Sequence, residues 1–197
     1  MGEDRLRDAL DAIDARNQGD PNQIFVRGAT RPKELAHAEL ATEWVERLVE
    51  DPSDELRLAA RSHHLRRWAI SRSEYPAGRG GYHRWRKALQ RLHADEVGAI
   101  LENEGYAEPT VARVRALVRK QGLERGDDPE VQALEDALCL VFLETQLAST
   151  AAKLGDPEKT VDVLRKTAHK MSARALELAG ELPLSEAERA LLERALR

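Results

Sequence analysis

Cysteine and aromatic residues are scarce in this 197-residue chain. Its one cysteine, Cys139, cannot form a disulfide within the chain, which is typical of proteins from a reducing compartment. Cys139 lies in the apolar run ALCLVFL, where a cysteine usually serves as a small buried hydrophobic residue rather than a nucleophile. Aromatic residues make up 4% of the chain, so the core must consist mainly of leucine, alanine and valine. We expect a cytoplasmic protein without a disulfide framework.

The features of secreted, membrane-spanning and nucleic-acid-binding proteins are also lacking. The first residues, MGEDRLRDALDAI, contain acidic side chains and no apolar segment of the kind a signal peptide needs. We expect the apolar runs to be too short to cross a bilayer, which takes about 20 residues. The formal net charge is −4, whereas a general nucleic-acid-binding protein is strongly basic. We therefore expect neither a membrane nor nucleic acid in general as a partner.

Residues that favour helices dominate the composition of the chain. Leucine, alanine, glutamate and arginine are abundant, and these side chains lose little rotamer freedom in a helix. No segment shows the alternation typical of a strand, and the Gly- and Pro-containing stretch 17–32 is predicted to be a loop. We predict a single all-α domain over residues 1–197, a bundle of about eight helices. The predicted helices include 54–68, 82–104, the highly apolar and central 129–154, 157–180, and a last helix capped by Ser185.

Histidines and one aspartate occupy apolar faces of four of these helices. The histidines that align with apolar residues at helical spacing are His37, His63, His64 and His93. Asp136 interrupts the face of the most apolar helix, and burying an unpaired carboxylate costs roughly several kcal/mol. A metal ion held by these histidines would neutralise it, since imidazole and carboxylate are usual ligands of Zn, Mn and Fe. Alternatively, the histidines are ordinary core residues and Asp136 pairs with an arginine such as Arg67 or Arg113.

A basic segment that contains half of the aromatic residues directly follows the His63–His64 pair. It reads RRWAISRSEYPAGRGGYHRWRK over residues 66–87. Arginine binds phosphate bidentately, aromatic faces stack on bases, and glycines let backbone amides approach an anion. A small anionic ligand is therefore favoured, and a solvated basic surface is the alternative. The predicted binding residues are Arg66, Arg67, Arg72, Tyr75, Arg79, Tyr82 and Arg86, with Lys166 from a second basic cluster that could equally complement a helix dipole.

Several segments resemble known families. LAARSHHLRRW resembles the second-helix motif of the HD superfamily, in which adjacent His and Asp follow a small-apolar run. This resemblance implies a divalent metal bound by His37, His63 and Asp136, used for phosphate-ester hydrolysis in most members and as a di-iron pair in a few oxygenases. More closely, PKELAHAEL, HHLRRWAISRSEYPAGRGGYHRWRKAL, LEDALCLVFLE and LRKTAHKMS resemble the domain of unknown function family 4202 over nearly the whole chain. The chain departs from the HD pattern at His64, where HD proteins have an aspartate.

Three functions follow from these residues and resemblances. The first is a metal-dependent phosphohydrolase with His37, His63, His64 and Asp136 as ligands of Zn, Mn or Fe. In it, Glu144 would be a general base and His93 a further ligand or the residue that orients the leaving group. The second is an HD-type di-iron oxygenase. The third is a non-catalytic ligand-binding or scaffold protein, in which His63 and Asp136 simply pair in the core. A homodimer is compatible with each.

Overall fold

Nine α-helices make up most of residues 2–197, the part of the chain that the computed structural model describes, with side chains described from residue 4. The predicted all-α bundle is thereby confirmed. In chain order the helices are α1 (Gly2–Asn17), α2 (Lys33–Leu48), α3 (Asp54–Ser62), α4 (Gly78–Asn103), α5 (Glu108–Val118), α6 (Pro129–Leu154), α7 (Pro157–Ala168), α8 (Ala173–Gly180) and α9 (Glu186–Leu196).

Side-chain caps begin most of the later helices. The Ser53 hydroxyl accepts from the backbone N–H of Leu56 and starts α3, while Ser185 forms a capping box with Glu188 and starts α9, both as predicted. The carboxylate of Asp128 accepts backbone N–H bonds at the start of α6, just before Pro129. These caps satisfy amide groups that have no partner inside the helix, so they fix where each helix begins.

A two-stranded antiparallel hairpin occupies most of the stretch that was predicted to be a loop. Its strands are β1 (Gln23–Val26) and β2 (Ala29–Pro32). Arg27 and Gly28 form a two-residue turn with φ values of 50° and 83°, and positive φ at both positions suits the right-handed twist of a hairpin. The loop prediction was wrong because the hairpin lies on the surface. Ile24 and Val26 are half-buried, but the exposed Phe25 between them is also apolar, so apolar and polar residues do not alternate along β1.

Two predicted helices end earlier than expected. Helix α3 stops at Ser62, whose hydroxyl donates to the carbonyl of Leu58, and the chain then turns through residues 63–66. Arg66 adopts the left-handed conformation (φ 51°), which a helix cannot contain. The predicted helix 157–180 is two helices, α7 and α8, because the chain turns at residues 169–172 and Ser172 caps α8. Helix α4 begins at Gly78, four residues before the predicted start.

Helix α6 lies at the centre, as predicted, and packs against α2, α3, α5, α7 and α8. Contrary to expectation, by length and composition α6 alone among the described helices is apolar enough to cross a membrane. A core helix of a globular bundle meets the same criteria, and the packing of α6 is that of a core helix. Cys139 is buried on α6, and burial raises the pKa of its thiol to about 12. Cys139 therefore stays protonated, as expected of a core residue.

The start of α4 packs tightly on the loop before it, which yields a stability prediction. A Cβ at Gly81 would lie 1.8 Å from the carbonyl oxygen of Pro76, whereas a Cβ at Gly80 would meet nothing within 4 Å. We expect Gly81→Ala to lower the free energy of unfolding by about 2 kcal/mol, because backbone must move to admit the methyl group. Gly80→Ala should raise it by about 0.5–1 kcal/mol, since alanine is the better helix former.

Urea unfolding of both variants followed by circular dichroism measures these changes. Equal effects of the two substitutions would contradict the packing described for this loop.

Candidate functional site

The carboxylate of Glu34 is buried at the start of α2. The residue is 5% exposed, and its backbone N–H donates to Asp20 Oδ2 at 2.9 Å, which anchors the first turn of α2 to the segment before the hairpin. Glu34 Oε2 is buried and accepts no hydrogen bond of good geometry. Because a buried carboxylate must be neutralised by its surroundings, the groups around Oε2 define the site.

His37, one turn after Glu34 on α2, points a ring nitrogen at this carboxylate. His37 Nδ1 lies 3.5 Å from Glu34 Oε2, and His37 Nε2 lies 3.2 Å from Thr145 Oγ1 on α6. The Thr145 hydroxyl donates its only proton to the carbonyl of Val141 at 2.6 Å, so it must accept from Nε2. In its neutral form, His37 therefore presents a lone pair on Nδ1 to the carboxylate. Two acceptors that face each other in this way call for a cation between them.

His64 approaches the same oxygen from the turn after α3. Its Nδ1 lies 3.2 Å from Glu34 Oε2, and its Nε2 accepts from Arg67 at 3.4 Å. The guanidinium of Arg67 also lies 3.9 Å from Glu34 Oε1 and 4.9 Å from the centre of the Trp85 ring on α4. Arg67 thus supplies a positive charge to the buried carboxylate.

The protonation states suit metal binding. Burial by itself raises the pKa of Glu34, but the charges and hydrogen-bonding capacity of His64 and His37 outweigh it, and the net direction is down. Burial lowers the pKa of His64 to about 4, more than Glu34 raises it. Glu34 is therefore a carboxylate near neutral pH, and burial favours the neutral imidazole of His64; these are the forms in which such side chains bind metals.

The geometry also fits one ion. A ligand atom from each of Glu34, His37 and His64 lies within 4.8 Å of the others. Two ligands of a tetrahedral ion with bonds of about 2.1 Å lie about 3.4 Å apart. The separations of 3.2 and 3.5 Å between the imidazole nitrogens and Glu34 Oε2 are close to that value. This cluster of Glu34, His37 and His64 can hold a divalent metal, and its N,N,O donors suit Zn, Mn or Fe.

His63 and His93 lie beside the cluster. The ring centres of His63 and His64 are 4.1 Å apart, and those of His64 and His93 are 5.8 Å apart. His93 Nδ1 donates to the carbonyl of Leu65 at 2.7 Å, so its buried Nε2 carries a lone pair, and this atom has no partner among the described residues. The Nδ1 of His63 is likewise buried without one. Burial lowers the pKa of His93 to about 3 and that of His63 well below its usual value.

Three cavities surround these side chains. The "apolar cavity", about 220 Å³, is lined by His37, His63 and His64 and by six apolar residues, Ala38, Ala41, Ala60, Leu138, Val141 and Phe142, with Gln146. The "cationic cavity", about 40 Å³, is lined by His63, His64 and His93 and by Arg67, Arg86 and Lys120. The "outer cavity", about 300 Å³, includes Glu34, Arg67, Trp68, Arg72 and Trp85. The cluster therefore has an apolar surface on one side and positive charge on the other.

Asp136, a predicted ligand, and Glu144, a predicted catalytic residue, have partners outside the cluster. Asp136 Oδ1 accepts from the backbone N–H of Ser172 at 2.8 Å and from Gln132 Nε2 at 2.9 Å, so the carboxylate ties α6 to the turn before α8. These donors are amides, and the arginines and His63 predicted as alternative partners are not among them. Glu144 accepts from the indole of Trp44 and from Arg27, which attaches the hairpin turn to α2 and α6. The structure thus uses both carboxylates in packing.

The predicted anion-binding residues separate into two groups. Arg67 and Arg86 line the cationic cavity, and Arg72 lines the outer cavity, although its guanidinium donates to the carbonyls of Tyr75 and Pro76. The others are not brought to the cluster. Arg66 pairs with Glu96, Arg79 donates to His83 on the surface, and Tyr82 is exposed beside Trp85. Tyr75 is half-buried in the loop, and Lys166 is exposed on α7.

Sequence reasoning missed Glu34 and Lys120. The signal for Glu34 was its spacing from His37: Glu-x-x-His places both side chains on one helix face, as in helical-bundle metal sites. An acidic residue in the first helical turn is so common that this spacing did not stand out. Lys120, which pairs with Glu135, follows the end of α5 and carries no local signal.

The comparisons with known proteins return one match. A family model described as a domain of unknown function, DUF4202, matches residues 7–192. No curated protein and no solved structure matches the chain.

The two carboxylates Glu34 and Asp136 provide a direct test of where a metal binds. The chain purified without chelators and dialysed against Zn²⁺ or Mn²⁺ should retain about one equivalent by elemental analysis. Glu34→Gln should retain less than about a tenth of that amount, because the only carboxylate of the cluster is gone. Asp136→Asn, the matched control, should bind metal like the unmodified chain, since an amide oxygen still accepts from Ser172.

Circular dichroism checks that both variants are folded. Loss of metal in Asp136→Asn and its retention in Glu34→Gln would show that the cluster is not the metal site.

Proposed function

We propose that this chain, which belongs to the DUF4202 family of domains of unknown function, is a metal-dependent phosphohydrolase that acts on a small phosphorylated substrate. One observation carries the proposal: a buried carboxylate–imidazole cluster that can hold a divalent metal borders a cavity lined by Arg67, Arg86 and Lys120. A metal and fixed cations on adjacent sides are what a phosphate ester requires from a hydrolase. We also propose a cytoplasmic location, given the single buried, unpaired cysteine.

The resemblance to the HD superfamily supports this function, although one metal-binding aspartate of that superfamily is missing here. Glu34 can supply the missing carboxylate. His64 stands where HD proteins have a metal-binding aspartate. Glu34 lies 3.2 Å from His64 Nδ1 and supplies a carboxylate at that place from another helix. The proposed ligands are therefore Glu34, His37 and His64, in place of the set predicted from sequence. A divalent ion held there would lower the pKa of a bound water and polarise a phosphoryl oxygen.

Arg67 links the cluster to the anion site. Its N–H groups now face His64 Nε2 and Glu34 Oε1. His64 can offer Nδ1 to a metal only with its proton on Nε2, and that N–H would then oppose the N–H of Arg67. We infer that Arg67 turns away from the cluster when metal binds, and its guanidinium becomes free to bind phosphate. Metal loading and substrate binding are thereby coupled through one side chain.

The other two cations and His93 complete the proposed binding site. Among the described residues, Arg86 has no ion-pair partner, and Lys120 shares Glu135 with Lys170, so positive charge is in excess. His93 Nε2 has a free lone pair and can accept a hydrogen bond from an attacking water or from a substrate hydroxyl. In the overall reaction a water oxygen bonds to phosphorus, the ester P–O bond breaks, and the alcohol leaves with a proton.

An iron oxygenase is the second candidate, and the Glu34-x-x-His37 spacing favours it because paired di-iron sites in helical bundles use this spacing. The two functions differ in their products. The test is to incubate the chain, loaded separately with Zn²⁺, Mn²⁺ or Fe²⁺, with a panel of phosphate monoesters and to measure inorganic phosphate. Phosphate release that Glu34→Gln abolishes supports the hydrolase. Oxygen consumption by the iron form without phosphate release overturns it, and no reaction with any metal leaves only a binding role.

Adjacent arginines allow a matched test of the anion site. Arg67→Met should lower kcat/KM for phosphate-ester hydrolysis by about 10–100-fold, because a charge-assisted hydrogen bond to phosphate is worth about 1.5–3 kcal/mol. Arg66→Met should leave kcat/KM within about threefold of the original value, since Arg66 pairs with Glu96 and lines none of the three cavities. Steady-state kinetics on the metal-loaded variants would contradict this assignment if both substitutions had the same effect.

A further inference from the structure

The apolar cavity is the largest of the spaces that the cluster histidines line, and nothing proposed so far uses it. Six apolar side chains form most of its wall: Ala38, Ala41, Ala60, Leu138, Val141 and Phe142. Three of the six are alanines on α2 and α3, and larger side chains at these positions would fill the space. The remaining wall consists of His37, His63, His64 and Gln146. A closed core would leave no void of this size, because protein interiors pack as densely as organic crystals.

The cavity volume sets the size of what fits. A dry apolar cavity of about 150 Å³ is enough to bind benzene. At about 220 Å³, the apolar cavity has room for one aromatic ring or a branched hydrocarbon group of similar size. The six apolar side chains offer no hydrogen bonds to water, so transferring a hydrocarbon group against them is favourable.

The position of the cavity relates it to the proposed chemistry. His63 and His64 line both the apolar and the cationic cavity, and His37 and His64 belong to the cluster. A substrate at the cluster can therefore place its phosphate toward Arg67, Arg86 and Lys120 and its organic part toward Phe142. Each part then meets surroundings of matching polarity.

We propose that the substrate is a phosphate monoester whose alcohol part is a compact hydrocarbon group, about the size of a phenyl ring, bound in the apolar cavity. This inference rests on the proposed phosphohydrolase function and specifies its substrate class. It excludes sugar phosphates, whose many hydroxyls would lose hydrogen bonds to water against alanine, leucine, valine and phenylalanine side chains. It also excludes large alcohols, because the volume holds a single ring.

Phosphonates separate binding in this cavity from hydrolysis, because their carbon–phosphorus bond is not an ester. The probes are phenylphosphonate and methylphosphonate, titrated calorimetrically into the metal-loaded chain. Phenylphosphonate should bind at least about tenfold more tightly, since burial of a phenyl-sized group strengthens binding by that factor or more. Equal affinities would overturn the apolar subsite, whatever the outcome of the phosphate-release assay.

Two substitutions, one that narrows the apolar cavity and one that widens it, test whether the phenyl group binds there. Ala38→Leu narrows it and should reduce the preference for phenylphosphonate over methylphosphonate to less than about threefold. Phe142→Ala widens it and should let naphthylphosphonate bind at least as tightly as phenylphosphonate. Ala148→Leu is the control, because Ala148 is exposed on α6 away from the cavity. The phenyl group binds elsewhere if Ala38→Leu keeps the preference for phenylphosphonate over methylphosphonate and Phe142→Ala does not raise the affinity for naphthylphosphonate.

The same cavity can be tested without any phosphorus compound, which keeps this inference distinct from the proposed function. Benzene should raise the unfolding temperature of the metal-free chain, because a ligand that binds only the folded state stabilises it. Benzene should not do so in folded Ala38→Leu. If benzene binds but no phosphate ester is hydrolysed, the cavity is real and the phosphohydrolase proposal is wrong. If esters are hydrolysed without preference for a hydrocarbon group and benzene does not bind, the substrate class is wrong.

Discussion

The burial of one carboxylate, that of Glu34, is the constraint on which the arrangement of the site depends. A charge removed from water must be compensated at close range, or folding becomes unfavourable by several kcal/mol. The fixed positive charge beside it is the guanidinium of Arg67, after α3, and the imidazoles of His37 and His64 lie 3.5 and 3.2 Å from its Oε2. The backbone of Glu34 is tied in turn to Asp20. Glu34 therefore connects three segments: α2, the segment before the hairpin and the turn after α3. A metal bound by its carboxylate would strengthen this connection.

His64 and Arg67 both lie on the segment 63–67, which α1 and α4 hold in place by hydrogen bonds. Arg66 adopts a left-handed conformation, which costs a non-glycine residue about 1–3 kcal/mol. Its backbone N–H donates to the buried side chain of Asn17, and the preceding carbonyl of Leu65 accepts from His93. These two bonds, from α1 and α4, offset the cost. The left-handed residue thus fixes the turn from which His64 and Arg67 reach Glu34.

Local sequence signals predicted the helices and their caps well, but not the hairpin or the partners of buried side chains. Ser53 and Ser185 act within one helical turn, so their caps could be read directly from the sequence. The hairpin was missed because apolar and polar residues do not alternate along its strands. Asp136 was assigned to the metal site because its helix face is apolar, but its partner is the backbone of Ser172, in a turn that helical periodicity did not predict. Glu34 was overlooked because an acid in a first helical turn is ordinary.

By itself, the sequence determined that the chain forms an all-α bundle, that α6 is its central helix, and that His37 and the His63–His64 pair occur on segments with an apolar side. Membership of the DUF4202 family was also readable from its motifs. Only the tertiary structure decided that Glu34 joins His37 and His64, and that Asp136 and Glu144 do not. The physical reason is distance along the chain. Caps and helical faces arise from bonds within one or two turns, whereas His37 meets Thr145 across 108 positions, a contact that only the packing of α2 on α6 creates.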